Sequence, residues 1–309
     1  MRVFVTGASG HVASAVVPEL VSAGHSVIGL ARSNRSAGVV ESLGAQACRG
    51  DLAEREVLRA QSREADAVIH LAFPNYEQNS GNLASAVSTD LEAIHAISDA
   101  LVGSDKPFVV TSATGAMALA GFTGVLHERD ALPRGPRIEA ENTVIALAEK
   151  KVRTSIIRLP PTVHGGGVHG FASGLVSLAQ ARGTVGYLGS GDNRWPSAHV
   201  KDVALLYRLA LEAAPPGTRL HAVAEKGIPV RKIAETIGRK LNLPVASIAP
   251  EEAQQHFEFL SAFIGMDNPT SSEYTRDTLG WTPTHPGLLA DLEQDAQLKP
   301  CLANEATGS

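Results

Sequence analysis

The sequence is poor in cysteine and aromatic residues, and it has no long apolar run. Only two cysteines occur in 309 residues, Cys48 and Cys301, and no Cys-x-x-Cys pair is present. Two thiols so far apart argue against a disulfide framework and against a zinc site made of cysteines. Nowhere do about 18 apolar residues follow one another, so no membrane-spanning helix is predicted.

Clusters of basic charge and an apolar targeting segment are also missing. The chain carries 27 Lys and Arg against 32 Asp and Glu, a net charge of −5. It has no basic run, which argues against a nucleic-acid partner, whose phosphates require a basic surface. The first residues pass directly into an apolar strand and a turn, without the apolar core of a signal peptide. We therefore expect a cytoplasmic protein.

Short runs rich in Val and Ile alternate with amphipathic segments through the first half of the chain. The pattern predicts strands over residues 2–5, 26–31, 45–49, 67–72, 107–112 and 154–159. Strands with few polar positions are typical of a parallel sheet that helices cover on both faces. The sequence therefore predicts an α/β fold of the Rossmann type, with a doubly wound parallel sheet.

The sequence pattern changes near residue 164, which predicts a division of the chain. We assign residues 1–164 to the Rossmann domain and 165–300 mainly to a smaller C-terminal substrate-binding lobe. Segments around 195–225 are expected to return to the Rossmann core. Helices are predicted over 171–182, 203–213, 230–241 and 251–264, a strand over 221–224, and a flexible tail over 301–309.

A glycine-rich segment, Thr6-Gly7-Ala8-Ser9-Gly10-His11-Val12-Ala13, follows the first predicted strand and opens a helix. In this context Gly7 permits a tight turn, Gly10 leaves room for a pyrophosphate, and Ala13 lets the helix approach the strand. The amides and the dipole of the helix N-terminus attract phosphates. The alternative is a tight turn without a ligand. We predict a dinucleotide site that includes Thr6, Gly7, Ser9, Gly10, His11 and Val12.

The end of the second strand predicts which dinucleotide binds. A carboxylate normally stands there to bind the ribose of NAD, whereas this chain has Arg32 and Ser33, with Arg35 close by. A guanidinium holds a 2′-phosphate in two hydrogen bonds, so we predict NADP rather than NAD. Alternatively, Arg32 is a solvated loop residue. Asp51 is expected to bind the adenine amino group and Leu52 to pack on the ring, unless Asp51 caps the next helix.

Together these segments resemble the short-chain dehydrogenase/reductase superfamily, in its extended and atypical branches near the NAD-dependent epimerase/dehydratase group. The resemblance extends over almost the whole chain. It is also carried by His70-Leu71-Ala72, Thr111-Ser112, Arg158 to Gly165, Trp195 to Asp202, and Leu279 to Pro283. The resemblance implies that Leu71, Ala72, Thr111 and Leu159 contact the cofactor.

One departure from this family concerns catalysis. The family's Tyr-x-x-x-Lys pair belongs at the start of the helix before strand six, where this chain has Pro133 and Arg137. No tyrosine lies between Tyr76 and Tyr187, so we predict that the usual proton donor is missing. Arg137 can still grip the nicotinamide ribose, although a guanidinium effectively never loses its proton.

The chemistry is therefore assigned to other polar residues. Ser112, or Thr111 beside it, is expected to hydrogen-bond the reacting group, and His164 to supply the proton. The alternatives are that the Ser112 hydroxyl only makes hydrogen bonds within the protein, and that His164 has a structural role. The residues expected to contact the substrate are Phe73, Thr114, His164, His169, Tyr187, Arg194 and Trp195. The spacing of the histidines does not suit a metal, so none is predicted.

The leading hypothesis is an NADPH-dependent reductase, an oxidoreductase that acts on a carbonyl, imine or activated alkene of a small molecule. One alternative is a non-redox epimerase, dehydratase or cyclase that retains a bound dinucleotide. Another is a catalytically inactive regulator that senses dinucleotide, which the missing Tyr-x-x-x-Lys pair favours. Relatives of this kind often form dimers, so a homodimer is a possible assembly.

Overall fold

The structure is a computed structural model that describes residues 1–74, 82–167 and 169–299. Strands in the described ranges are β1 (Arg2–Thr6), β2 (Ser26–Ala31), β3 (Gln46–Arg49), β4 (Ala67–His70), β5 (Pro107–Ala113), β6 (Arg153–Leu159), β7 (Thr162–His164), β8 (Val185–Leu188), β9 (Arg194–His199), β10 (Thr218–His221), β11 (Glu225–Pro229) and β12 (Val245–Ile248). The predicted flexible tail at 301–309 and Cys301 lie outside these ranges.

Helices alternate with the strands in the first half and dominate the second. They are α1 (Ala13–Ser22), α2 (Asn34–Ser42), α3 (Arg55–Glu64), α4 (Leu83–Leu101), α5 (Thr114–Leu119), α6 (Ile138–Ala146), α7 (Gly170–Arg182), α8 (Val200–Ala213), α9 (Val230–Leu241), α10 (Ala253–Phe257), α11 (Glu273–Leu279) and α12 (Leu288–Gln294). None of the helices described is both long enough and apolar enough to cross a bilayer.

Seven strands form one parallel sheet in the order β10-β6-β5-β4-β1-β2-β3. The order reverses between β1 and β4, and ligands of such sheets bind at the carboxyl ends of the strands beside this reversal. Alternate residues of β1 face opposite layers: Val3 and Val5 pack with α1 and α8, and Phe4 packs with α3, α4 and α6. The predicted α/β doubly wound fold is confirmed.

Two elements from the second half of the chain complete this sheet layer. Helix α8 packs against α1, and β10 pairs with β6 as the edge strand. The strand predicted over 221–224 is wrong, because β10 ends at His221. The Pro215-Pro216-Gly217 turn, in which Gly217 has φ +74°, brings the chain onto the sheet earlier, at Thr218.

The smaller layer is built from a three-stranded sheet, β11-β9-β7, and a two-stranded sheet, β12-β8. Helices α7 and α9 enclose a separate apolar core with Trp195. The single helix predicted over 251–264 is wrong. The chain instead forms a 3₁₀ turn over Pro250–Glu252, then α10, then a 3₁₀ turn over Glu258–Ala262, because Glu258 has φ +51° and interrupts the helix.

Candidate active site

The glycine-rich loop between β1 and α1 lies directly against the chain that leaves β4. Gly7 has φ +68°, a left-handed conformation that favours glycine. A Cβ on Gly7 would stand 2.7 Å from the amide nitrogen of Ala72. Ala72 also donates from that nitrogen to Thr6 Oγ1 at 3.3 Å. The loop therefore requires glycine here and is fixed to the end of β4.

Helix α1 begins behind this loop without a side-chain cap. Val12 is the N-cap residue, and its side chain makes no capping hydrogen bond. The helix dipole favours an anion at this end of α1, so this site fits a diphosphate. Burial and the neighbouring His169 lower the pKa of His11 to about 4. An uncharged His11 leaves the attraction for phosphate to the backbone.

The residues predicted to recognise a 2′-phosphate lie where β2 passes into α2. Arg32 directly follows β2, Arg35 lies in the first turn of α2, and both are exposed. Ser33 caps α2, because its hydroxyl accepts from the amide of Ser36 at 3.1 Å. The Ser33 hydroxyl therefore stabilises the start of α2, and Arg32 and Arg35 flank Ser33 in the sequence.

The pair predicted to hold the adenine follows β3. The carboxylate of Asp51 is exposed and accepts from the amide of Ala53 at 3.1 Å. Asp51 does not cap the next helix, since the N-cap residue of α3 is Glu54. Leu52 is half-buried against the core of the sheet. An adenine amino group remains the ligand that we predict for Asp51.

A buried polar chain joins the glycine-rich loop to the N-terminus of α6. Thr6 Oγ1 lies 2.7 Å from His70 Nδ1, and His70 Nε2 lies 3.0 Å from Asp90 Oδ1 on α4. The other carboxylate oxygen of Asp90 lies 4.0 Å from Arg137 Nη2. A carboxylate as buried as that of Asp90 needs such partners, because burying an unpaired charge is costly.

Arg137 stands over the carboxyl end of β5 in a constrained position. It is the N-cap residue of α6 with φ +66°, a conformation that costs a non-glycine residue about 1 kcal/mol or more. Its Nη2 donates to the carbonyl oxygen of Thr111 at 2.7 Å. Its guanidinium lies 4.1 Å from the ring centroid of Phe73. These contacts, together with Asp90, fix the direction of the charge.

The two hydroxyl groups of β5, on Thr111 and Ser112, form hydrogen bonds with residues other than Arg137. Thr111 Oγ1 donates to the carbonyl oxygen of His70 at 2.7 Å, so the hydroxyl of Tyr207, also at 2.7 Å, must donate to Thr111. Burial raises the pKa of Tyr207. Ser112 donates to Glu141 Oε1 at 2.5 Å, on the opposite face of the strand.

The partner of Ser112 belongs to a buried ionic cluster. The Glu141 carboxylate accepts hydrogen bonds from Arg158 Nε at 3.1 Å and from Arg158 Nη2 at 2.7 Å. Arg158 Nη1 donates to His221 Nε2 at 3.3 Å. His221 Nδ1 lies 2.7 Å from the carbonyl oxygen of Ser271 and therefore carries the hydrogen. Burial and the charge of Arg158 lower the pKa of His221 to about 3.

An apolar cavity of about 310 Å³ opens at the carboxyl ends of β4, β5 and β6. Phe73 follows β4, Ala113 ends β5, and Pro161 follows β6, and each lines the cavity. Arg137 forms part of the same wall. Of the four predicted catalytic residues, Arg137 is therefore the one that lines this cavity, and Ala113, next to Ser112, presents a methyl group to it.

Comparison with known proteins shows the family to which this chain belongs. The model of the NAD-dependent epimerase/dehydratase family matches residues 3–222. The chain belongs to this family. A Schizosaccharomyces pombe protein, named only as uncharacterized, is 42% identical over 300 residues, which are 96% of this chain and 99% of that protein. The 2-alkyl-3-oxoalkanoate reductase of Stenotrophomonas maltophilia is 28% identical over 227 residues, 70% and 67% of the two chains.

Solved structures of similar fold include MoeE5 in complex with UDP-glucose and NAD. It superposes with a TM-score of 0.73 at 24% identity and covers 94% of this chain and 96% of its own. At this identity the likeness shows the fold alone. The epimerase/dehydratase architecture is thus shared, and the chemistry of this member has to be argued from its own residues.

In this member of the epimerase/dehydratase family, the predicted proton donor His164 points away from the cavity. It is buried on β7, its Nδ1 lies 3.0 Å from Asp291 Oδ2 on α12, and its Nε2 is buried without a partner. Pairing of β7 with β9 turns the side chain toward α12. His169 stacks on His11 with ring centroids 3.5 Å apart. Neither His164 nor His169 is among the described residues that line the cavity.

Four other residues predicted to bind substrate also lie outside the cavity lining. Thr114 is buried and accepts from Asn268 Nδ2 at 2.7 Å. Arg194 forms an exposed ion pair with Asp267, and Tyr187 packs near a guanidinium on α9. Trp195 is buried one layer behind the cavity, where it meets the ring of Phe171 edge-on at 5.5 Å. Phe73 alone of these predicted contacts reaches the cavity.

A cluster of His199, Asp202 and His285 brings three ligand-type atoms within 4.8 Å of one another. The imidazole rings are stacked, with planes 7° apart and centroids 4.6 Å apart, so their nitrogen lone pairs lie in separate parallel planes. Asp202 accepts from His285 Nδ1 and from the backbone amides of Thr284 and His285. These hydrogen bonds fix the segment at Thr284 and His285 to the first turn of α8.

Sequence reasoning missed most of the cavity wall. Phe259 and Phe263 fall within the helix that the sequence predicted over 251–264, and Met266 follows it. A signal was present, since three phenylalanines fall between Phe257 and Phe263 in a chain with only eight. Tyr207 and Asp90 were missed because each belongs to a helix that reads as an ordinary amphipathic segment.

Proposed function

We propose that the protein is an NADP(H)-dependent reductase that acts on a carbonyl, an imine or an activated alkene of a small molecule. The observation that carries the proposal is the continuity of loop and cavity. Gly7 touches Ala72, and the next residue, Phe73, lines the cavity. A dinucleotide with its phosphates at the N-terminus of α1 would extend along the strand ends toward this cavity.

The preference for NADP rests on the adenosine end of the site. Arg32 and Arg35 are exposed beside the N-terminus of α2, which itself attracts an anion. A ribose 2′-phosphate placed there would gain charge-assisted hydrogen bonds that the two hydroxyls of NAD would not. The absence of a carboxylate at the end of β2 supports the same choice.

Arg137 is the residue that we assign to the reacting group. When bound, the reduced nicotinamide supplies a hydride to the substrate. Arg137 would donate hydrogen bonds to the substrate oxygen or nitrogen and stabilise the negative charge that forms there. Asp90 and the carbonyl oxygen of Thr111 hold the guanidinium in place beforehand. The proton that completes the reduction comes from water, because Arg137 effectively never loses its own.

The similarity to a bacterial 2-alkyl-3-oxoalkanoate reductase supports reduction over the non-redox alternative. The sensor hypothesis is supported by one observation, which is that Ser112, Thr111 and His164 are all engaged away from the cavity. The two functions differ in turnover. A sensor binds dinucleotide tightly and oxidises none with any substrate, whereas the reductase consumes NADPH.

The proposal is tested by calorimetric titration of NADPH and NADH, followed by assays of NADPH oxidation with ketones, aldehydes and cyclic imines. In Arg32→Glu, NADPH affinity should fall by a factor of about 30, since a charged hydrogen bond contributes about 2 kcal/mol, while NADH affinity should change little. Arg63→Glu makes the same charge change at an exposed site on α3 and serves as the control. Absence of binding heat with both coenzymes would refute the proposal.

A further inference from the structure

The cavity beside Arg137 concentrates the aromatic residues of a chain that has few. Four of its eight phenylalanines line the cavity: Phe73, Phe171, Phe259 and Phe263. They come from the end of β4, from α7 and from the segment after α10, so separate parts of the fold converge here. Phe171 and Phe263 are in ring contact, with centroids 4.8 Å apart. Such convergence produces an apolar ligand surface.

The opposite wall is also apolar and is closely packed. It is formed by small residues of α5, and a Cβ on Gly115 would stand only 3.3 Å from Met266 Cε. Met266 therefore lies directly over the backbone of α5, where its flexible thioether can adjust to the shape of a ligand. Ala116 and Leu119 continue this wall toward solvent.

Among the described residues of the lining, Arg137 is the single charged group. Its guanidinium already binds the carbonyl oxygen of Thr111 and lies over Phe73. With part of its hydrogen-bonding capacity used in this way, the Arg137 guanidinium can bind one acceptor atom of a ligand. A diphosphate or a ring of sugar hydroxyls would lose its hydration against phenyl groups without replacement partners, which is strongly unfavourable.

We infer that the substrate is an apolar compound with a single reducible carbonyl group and no phosphate or sugar. Its hydrocarbon part lies between Phe171, Phe263 and Met266, and its oxygen faces Arg137. A cavity of about 310 Å³ is at the small end of ligand pockets and suits one such molecule. This inference rests on the proposed reductase. Its two-electron reduction converts the carbonyl to an alcohol with one hydride from NADPH and one proton from water.

The first experiment measures kcat/KM at saturating NADPH for straight-chain aldehydes and methyl ketones of increasing length, with glyceraldehyde as the hydrophilic probe. Each added methylene group should raise kcat/KM about three- to fourfold until the cavity is filled, because each buries new apolar surface. A value that does not change with chain length, or a preference for glyceraldehyde, would overturn the inference while the reductase function stands.

A second experiment measures binding without reaction. Butanamide and hexanamide present a carbonyl oxygen that is not reduced, and each is titrated into the complex with NADP⁺ by calorimetry, beside UDP-glucose. Hexanamide should bind about tenfold more tightly than butanamide, and UDP-glucose should give no heat. If no carbonyl compound, imine or activated alkene is reduced, the reductase is refuted, and the amide series alone then decides whether the cavity is an apolar ligand site.

Matched variants locate the effect in the cavity. Phe259 lines it and is 38% exposed, so Phe259→Ser removes apolar wall at little cost to the fold. We expect this variant to lose about tenfold in kcat/KM for hexanal and to bind hexanamide about tenfold more weakly. Val102→Ser removes an apolar side chain that is 51% exposed at the end of α4, and it should change neither value. Equal losses in both variants would contradict the assignment.

Discussion

Acid should destabilise the protein through one histidine that the fold holds uncharged. His221 is completely buried, donates from Nδ1 to Ser271 and accepts from Arg158 at Nε2, so a second proton would face a guanidinium. Burial and that guanidinium lower its pKa from 6.5 to about 3. Between these values the unfolded chain binds the proton and the folded chain does not. The stabilisation is therefore complete above pH 6.5 and is lost progressively as the pH falls toward 3.

The size of this loss follows from the shift. Each pH unit below the unfolded pKa costs about 1.4 kcal/mol, so the free energy of unfolding should fall by about 2 kcal/mol between pH values of about 8 and 5 through this residue alone. Urea unfolding at those two pH values measures the change. His11, whose pKa is lowered to about 4, adds to the total in the same direction.

The variant His221→Asn isolates the contribution. Its amide can still donate to Ser271, but it does not titrate, so the pH-dependent loss should shrink by about 2 kcal/mol relative to the wild type. The variant should also be less stable at neutral pH, because Arg158 loses an acceptor. His95→Asn, at an exposed position on α4, is the control. If His221→Asn and the wild type lose the same stability on acidification, the reasoning is refuted.

Three further predictions concern the site. Gly7→Ala should weaken NADPH binding, measured by calorimetry, at least tenfold. The new Cβ would stand 2.7 Å from the amide nitrogen of Ala72, and φ +68° disfavours alanine. Unchanged affinity would mean that the loop does not hold the dinucleotide. Arg137→Met should lower kcat about a hundredfold with little effect on NADPH affinity, and Arg137→Lys should recover part of the loss in steady-state assays. Tyr207→Phe should cost about 1 kcal/mol in urea unfolding, because Thr111 loses a donor, while kcat should hold; a large drop in kcat would move the chemistry to Thr111.

The large sheet was predictable because its strands are buried on both faces. All four residues of β4 are buried, and three of them, Ala67, Val68 and Ile69, form an apolar run between Asp66 and His70. The strands of the smaller layer give no such signal. Strand β7 has three residues, and β9 includes Pro196 and begins with an exposed arginine, so their pairing depends on partners far along the chain.

The glycine-rich turn after β1 was predictable because its requirements are local, whereas the hydrogen-bond partners of the two β5 hydroxyls were not. Thr111 and Ser112 are neighbours on one strand, and alternation sends them to opposite faces. What each hydroxyl contacts depends on Tyr207, 96 positions from Thr111, and on Glu141, 29 positions from Ser112. Arg137 was proposed because it stands at the position of the family's lysine, and its place in the cavity wall depends on a left-handed backbone that no spacing rule predicts.

The return of α8 and β10 to the sheet limits how the protein can be divided or recombined. A fragment that ends at residue 164 would leave β6 as an open edge and would uncover Val16 and Val17 on α1, which invites aggregation. To exchange substrate specificity with a homologue, two separate segments of the smaller layer therefore have to be replaced, one before β9 and one after β11. A single crossover would also replace β10 and so join the homologue's edge strand to this sheet.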